Sequence, residues 1–201
     1  AADTVNAAFT VTATFSEDVT DFNASDITVA NGTASNFEVV NATTYTFDIT
    51  PTDEGDVTVD IAAGGATDLA GNSNLAATQL TRIYDITPPT VTLTTEAADT
   101  VNAAFTVTAT FSEDVTDFNA SDITVANGTA SNFEVVNATT YTFDITPTDD
   151  GNVTVDIAAA TATDLAGNSN LAAPQLTRIY DITAPDAPTI TSTGVTNNPT
   201  P

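Results

Sequence analysis

The chain contains itself twice. Asp3-Thr4-Val5-Asn6 returns as Asp99-Thr100-Val101-Asn102, and the offset of 96 (99 − 3) then holds through Arg82 and Arg178. A fixed period of this length marks one folding unit used in tandem. At 201 residues there is room for two such units, each large enough to bury a core. In the aligned span the copies differ only at Glu54/Asp150, Asp56/Asn152, Gly64/Ala160, Gly65/Thr161, Thr78/Pro174 and Pro88/Ala184. Between them stands Tyr84-Asp85-Ile86-Thr87-Pro88-Pro89-Thr90, whose two prolines favour an extended, stiff path. The expected division is a first module over 1–86, a joint at 87–90, a second module over 91–183, and a linker with the start of a further module over 184–201.

The second copy is complete and sets the reading of the module. Residues 91–96 (VTLTTE) alternate apolar and polar side chains and are rich in β-branched types, as a half-buried strand is. After a turn-like stretch at 97–103, Phe105, Val107, Ala109 and Phe111 point one way and Thr106, Thr108 and Thr110 the other. An acidic segment at 112–121 leads to strands carrying Ile123 and Val125, then Phe133 and Val135, then Tyr141, Phe143 and Ile145. Turns at Asn127-Gly128 and Asn137-Ala138 separate them, and residues 147–151 break the pattern again. Val153, Val155 and Ile157 form a sixth strand; after the loop at 161–174, residues 175–182 form the seventh. Seven short strands without a helical period predict an all-β module, an antiparallel sandwich of immunoglobulin type, with other sandwiches and a small barrel left open by periodicity alone. Ala1 aligns with Ala97, so the first copy lacks its first strand, expected upstream in a longer parent protein, and one sheet edge is exposed.

Charge narrows function. There are 27 Asp and Glu residues against two Arg, a formal net charge of −25. A field of that sign argues against nucleic acid and anionic membranes as partners, and it makes the compact state repel itself unless cations bind. Cys and His are absent, so thiolate and imidazole metal centres are improbable and oxygen-preferring cations remain. No apolar run approaches the roughly 18 residues of a membrane span. Paired carboxylates lie in turns with nothing to raise one pKa, so no catalytic centre emerges and the chain reads as a non-enzyme. Arg82 and Arg178, on strands that alternate with Leu and Tyr, read as paired structural arginines, and the Thr rows as ordinary solvent-side β residues.

The motifs FSEDV (111–115), ASDITVANG (120–128), YTFDITP (141–147), TDLAGNSN (163–170) and YDIT (180–183) occur in the same order in both copies. Together they resemble the bacterial Ig-like repeats strung along large surface adhesins. The resemblance covers almost all of both copies and implies two tandem antiparallel Ig-like β-sandwiches of about seven strands each. It also implies an extracellular or cell-surface location and a role as a structural extender. A recognition module binding carbohydrate or protein is the alternative. The implied partners are neighbouring repeats of the same chain, and the fragment is expected to be a monomer. One exception is considered: residues 189–193 read as an opening strand that completes the strandless first module of another copy, head to tail.

Topology places the candidate site. In a seven-strand sandwich the loops after the second and sixth strands lie where the module begins, and those after the first and fifth lie where the last strand leaves. At the joint, the first module therefore presents Asp3, Asp53, Glu54 and Asp85. The second presents Glu113, Asp114, Asp164 and Asn168. Calcium takes six to eight oxygen ligands in flexible geometry, whereas magnesium demands a stricter octahedron, so calcium is the expected cation. No EF-hand loop is present, so the ligands must come from separate turns. Turn chemistry alone accounts equally for Asp164 and Asn168, with Gly167 supplying a positive φ.

Overall fold

The structure is a computed structural model that describes residues 4–192 and 194. The first module comprises β1 (Thr4–Val5), β2 (Phe9–Thr14), β3 (Val19–Thr20), β4 (Ile27–Ala30), β5 (Gly32–Val39), β6 (Thr44–Pro51), β7 (Gly55–Ile61), β8 (Thr67–Asp68) and β9 (Leu80–Tyr84). The second comprises β10 (Val91–Thr94), β11 (Thr100–Val101), β12 (Phe105–Phe111), β13 (Val115–Thr116), β14 (Ile123–Ala126), β15 (Gly128–Val135), β16 (Thr140–Pro147), β17 (Gly151–Ile157), β18 (Thr163–Asp164) and β19 (Leu176–Tyr180). One 3₁₀ turn interrupts each module, at Ala24–Asp26 and Ala120–Asp122. In both, an Asn and an Asp cap one another's backbone; Asp122 Oδ2 accepts from Asn119 N at 2.8 Å.

The second module is a complete sandwich. One sheet has the order β10-β12-β16-β15 and the other β11-β19-β17-β14. Val107, Phe143, Ile145, Val153, Val155 and Ile157 fill the space between them and are essentially inaccessible, because period-2 alternation delivers every second side chain of each strand to that face. At 97–103, expected to be turn-like, Thr100 and Val101 instead pair in parallel with Ile179 and Tyr180. A two-residue ladder is too short for periodicity to reveal. On β15 a bulge between Ser131 and Glu134, with Asn132 at φ 51°, shifts the register. Phe133 keeps its place against the core while Val135 is exposed.

The first module repeats this plan with one sheet reduced to β2-β6-β5. Among the described residues nothing corresponds to β10, as the sequence led us to expect. Residues 189–192, read from the sequence as an opening strand, form no strand within this chain and are exposed; an isolated strand has no ladder to satisfy its backbone. Thr193, the end of that stretch, lies outside the described residues.

The joint is hydrogen-bonded on both sides. Toward the first module, Asp85 N donates to Val5 O at 3.0 Å, and Glu54 Oε1 accepts from Ile86 N at 3.0 Å and from Thr87 Oγ1 at 2.6 Å. Toward the second, Leu171 N donates to Pro89 O at 2.8 Å, Ser112 N to Thr90 O at 2.9 Å, and Thr90 N to Ser112 Oγ at 3.0 Å. Pro89 itself is buried. The linker thus becomes β10 with little free chain between the modules.

Candidate metal centre at the joint

Two features of the second module aim carboxylates at the joint. The segment after β12 is pinned by its apolar residues: Phe111 and Val115 are buried on either side of Glu113. Phe111 and Phe118 pack edge-on at 5.1 Å, and Tyr141 meets both rings at 5.8 and 5.0 Å. Tyr141 Oη also donates to Val115 O at 3.3 Å. Between these two buried anchors Glu113 is half-buried and stands beside Asp85 and Asp164.

The second feature is the loop that β18 opens. Asp164 Oδ1 accepts from the backbone N of Ala166 and of Asn168, each at 2.8 Å, and Oδ2 accepts from Asn168 Nδ2 at 2.8 Å. Gly167 has φ 95°, the left-handed conformation that this tight return needs. Asn170 braces the base of the loop from within. It is buried, its Oδ1 accepts from Thr161 N and Ala162 N at 2.9 and 2.8 Å, and its Nδ2 donates to Ala158 O at 3.0 Å.

These elements meet the linker. Carboxylate oxygens of Asp85, Glu113 and Asp164 all lie within 4.8 Å of one another. Asn168 joins the modules directly: its Nδ2 donates to Asp85 O at 2.8 Å, and its Oδ1 accepts from Asn6 Nδ2 at 3.3 Å. Of the eight residues singled out from the sequence, four therefore converge here: Asp85, Glu113 and Asp164 as carboxylates, Asn168 as their amide neighbour. Glu54 stands close enough for its charge to act on Glu113, but its Oε1 holds the linker. Asp53 is exposed and its backbone is tied to Asn31. Asp114 is exposed, and its charge acts on Tyr141. Neither belongs to the group, and Asp3 lies outside the described residues.

The electrostatics are those of crowded like charge. Partial burial raises the Glu113 pKa above the ordinary glutamate value, and the negative charges of Asp85, Asp164 and Glu54 raise it further. Glu54 is lowered instead, first by the Thr87 hydroxyl and then by the Ile86 amide. The described ion pair, Arg178 with Asp99 at 4.0 Å, involves none of these carboxylates. Three carboxylates, one from the linker and two from the second module, make an all-oxygen set of the kind that hard cations take and softer metals do not. Sequence reasoning missed Asn6, Ser112 and Asn170. Asn170 had a local signal, the second Asn of the repeated GNSN, whereas the contact of Asn6 spans 162 residues and had none.

The bacterial Ig-like domain family model matches the chain twice, over residues 1–83 and 85–179. No curated protein matches. Among solved structures, InvD of Yersinia pseudotuberculosis is 16% identical over 93% of this chain and 57% of its own, with a TM-score of 0.37. Invasin, described as a bacterial integrin-binding protein, is 14% identical over 89% of this chain and 38% of its own, with a TM-score of 0.38. The N-terminal part of the bacterial S-layer protein SbsC is 16% identical over 90% of this chain and 42% of its own, with a TM-score of 0.31. The chain thus spans 57% or less of the length of these three structures. With two matches that together take in nearly every residue through Ile179, the chain belongs to the bacterial Ig-like domain family, present as two tandem copies.

Proposed function

We propose that the chain is a structural extender of a bacterial surface or secreted adhesin, in which calcium held at the interdomain joint turns a hinge into a strut. The observation that carries this reading is the meeting of Asp85, Glu113 and Asp164 from linker and second module, within 4.8 Å of one another. Three carboxylates that close repel in the absence of a cation, and a divalent ion reverses the sign of that interaction. Asp164 and Asp85 are already oriented, Asp164 by its loop amides and Asp85 by Thr87 N at 3.0 Å. Calcium therefore finds ligands with little left to order, and water or backbone carbonyls complete its shell.

An extender transmits length and direction and needs no chemistry of its own, which agrees with the non-enzymatic reading. The alternative, a carbohydrate-recognition module, calls for an exposed aromatic platform. Phe and Tyr are instead drawn into the two cores, and none is among the exposed large hydrophobic residues described. No helix among the described residues is long and apolar enough to cross a membrane.

Small-angle scattering with and without calcium tests the strut. Calcium is expected to narrow the distribution of interdomain distances and lengthen the particle, and a chelator to reverse both. Superimposable profiles under the two conditions would remove calcium from the account and leave an extender stiffened by hydrogen bonds alone.

A further inference from the structure

Tension on tandem modules enters each through one terminal strand and leaves through the other, so the ladders that hold those strands decide what load the module bears. In the second module the linker arrives beside the end of β12, where Thr90 O accepts from Ser112 N at 2.9 Å. From there β10 runs back along β12, Val91 opposite Phe111 and Thr94 opposite Thr108. Residues 97–101 then follow the other sheet: Ala97 O accepts from Arg178 Nε at 3.3 Å, Asp99 O from Ile179 N at 2.8 Å and Val101 O from Asp181 N at 3.0 Å. β11 therefore lies parallel to β19. The chain leaves where Tyr180 faces Gly151, just past the turn that follows Pro147. The start of β12 marks this same end, since Phe105 faces Ile145.

Entry and exit are thus at opposite ends of the sandwich, with the terminal strands running along the line between them. Pulling the ends apart slides β10 along β12 and β11 along β19, and all the bonds of each ladder take the load together. Pulling across the strands would open the same kind of bond one at a time. Side chains oppose the slide as well: Val91 is buried and Leu93 packs against the core, so a shift of one residue carries threonine inward and the aliphatic residues into water. At the entrance Pro89 is buried and its O accepts from Leu171 N at 2.8 Å. The first module has the same parallel pair at its exit, with Thr4 opposite Ile83, Val5 opposite Tyr84, and Asp85 N donating to Val5 O at 3.0 Å.

We propose that the modules are tension-bearing units, in which the parallel pairing of a short early strand with the last strand forms a clamp loaded in shear, backed in the second module by β10 on β12. This rests on the extender reading for its use: a strut resists bending, and the clamp lets the same array carry a load along its length. The clamp is made of backbone bonds and apolar side chains and needs no cation.

Single-molecule force spectroscopy of the intact chain in chelator tests it. The chain has no cysteine, so introduced pairs fix the pulling points. Attachment through Pro88→Cys and Ala184→Cys pulls the second module along its strands. Attachment through Thr148→Cys and Ala184→Cys, both beyond the exit end, pulls across β17 and β19 and peels them apart. At one constant force the lengthwise lifetime is expected to exceed the crosswise one by at least about tenfold, because several ladder bonds must break together. Since Ser112 N bonds Thr90 O, alternation makes Thr92 and Thr110 the next bonded pair. Thr92→Pro, at an exposed position, removes a donor from that pair. It should shorten the lengthwise lifetime at least about fivefold and the crosswise one by less than about twofold. Equal lifetimes in the two directions would overturn the proposal, and so would a proline that shortens both alike. Should the proline variant not fold, the comparison of directions decides alone. Because chelator is present throughout, loss of the calcium effect in scattering and loss of this directional difference are separate results.

Discussion

The loops at 68–72 and 164–168 have the same sequence, Asp-Leu-Ala-Gly-Asn, and make the same internal bonds. In the first, Asp68 is partly exposed, Asn72 is exposed, and among the described residues their bonds close a turn. In the second, Asp164 is 4% exposed, Asn168 reaches Asp85 O across the joint, and Glu113 completes a group of carboxylates. Glu17, the counterpart of Glu113, is exposed. Local sequence builds the loop, and the preceding linker makes it a candidate site. The same holds in the core, where Phe15 and Phe111 are one residue in two settings, without and with a covering strand.

The contrast can be broken by paired substitutions, beginning with the core. Phe111→Ala should destabilise the second module by about 3–5 kcal/mol, whereas Phe15→Ala, already half open to water, should cost the first module about half as much. Urea unfolding followed by resolved NMR signals from each module checks this. Equal losses would mean that β10 adds little to the burial of Phe111.

At the joint, Asn168→Ala removes bonds to Asp164 and Asp85 and should cost about 1–2 kcal/mol more than Asn72→Ala, whose described bonds stay within its own turn. It should also widen the interdomain distance distribution in scattering. An unchanged distribution would assign the rigidity to Pro89 and the linker backbone.

Glu113→Gln separates charge from shape. Because the Glu113 pKa is raised, the folded chain binds its proton more tightly than the unfolded chain does. Without metal, stability should therefore fall as pH rises from the ordinary glutamate value through the raised one. The Gln variant should lose that slope, melt slightly higher in chelator, and lose the stabilisation by calcium. Glu54 has the opposite sign: its lowered pKa means that its contribution is present above the ordinary glutamate value and lost as pH falls through the folded value. Glu54→Gln should flatten that acid limb, the smallest of these effects because the residue is exposed. Melting curves between about pH 3 and 7 read both slopes.

The fold was legible in the sequence wherever side chains alternate for several residues, as at Phe105 to Phe111 and Tyr141 to Ile145. It was not legible at Thr100-Val101 or at the bulge near Asn132, where two-residue pairing and a single positive φ leave no periodic trace. Of the eight residues singled out for the candidate site, four meet at the joint. Asp85, Glu113, Asp164 and Asn168 followed from which loops share an end of the sandwich. Asp53 and Asp114 share those loops too, but the direction of each carboxylate is set by neighbours: Val115 turns inward beside Asp114, and Asn31 holds the backbone of Asp53. Composition cannot supply such directions.

Calcium titration by calorimetry, on the intact chain and on the Glu113→Gln, Asp164→Asn double variant, tests the joint most directly. The account predicts a binding event with a dissociation constant of about 10⁻⁴ to 10⁻³ M, in the range of extracellular calcium modules. It should disappear in the double variant while both sandwiches stay folded. Equal heats from the two proteins, or none from the intact chain, would contradict it.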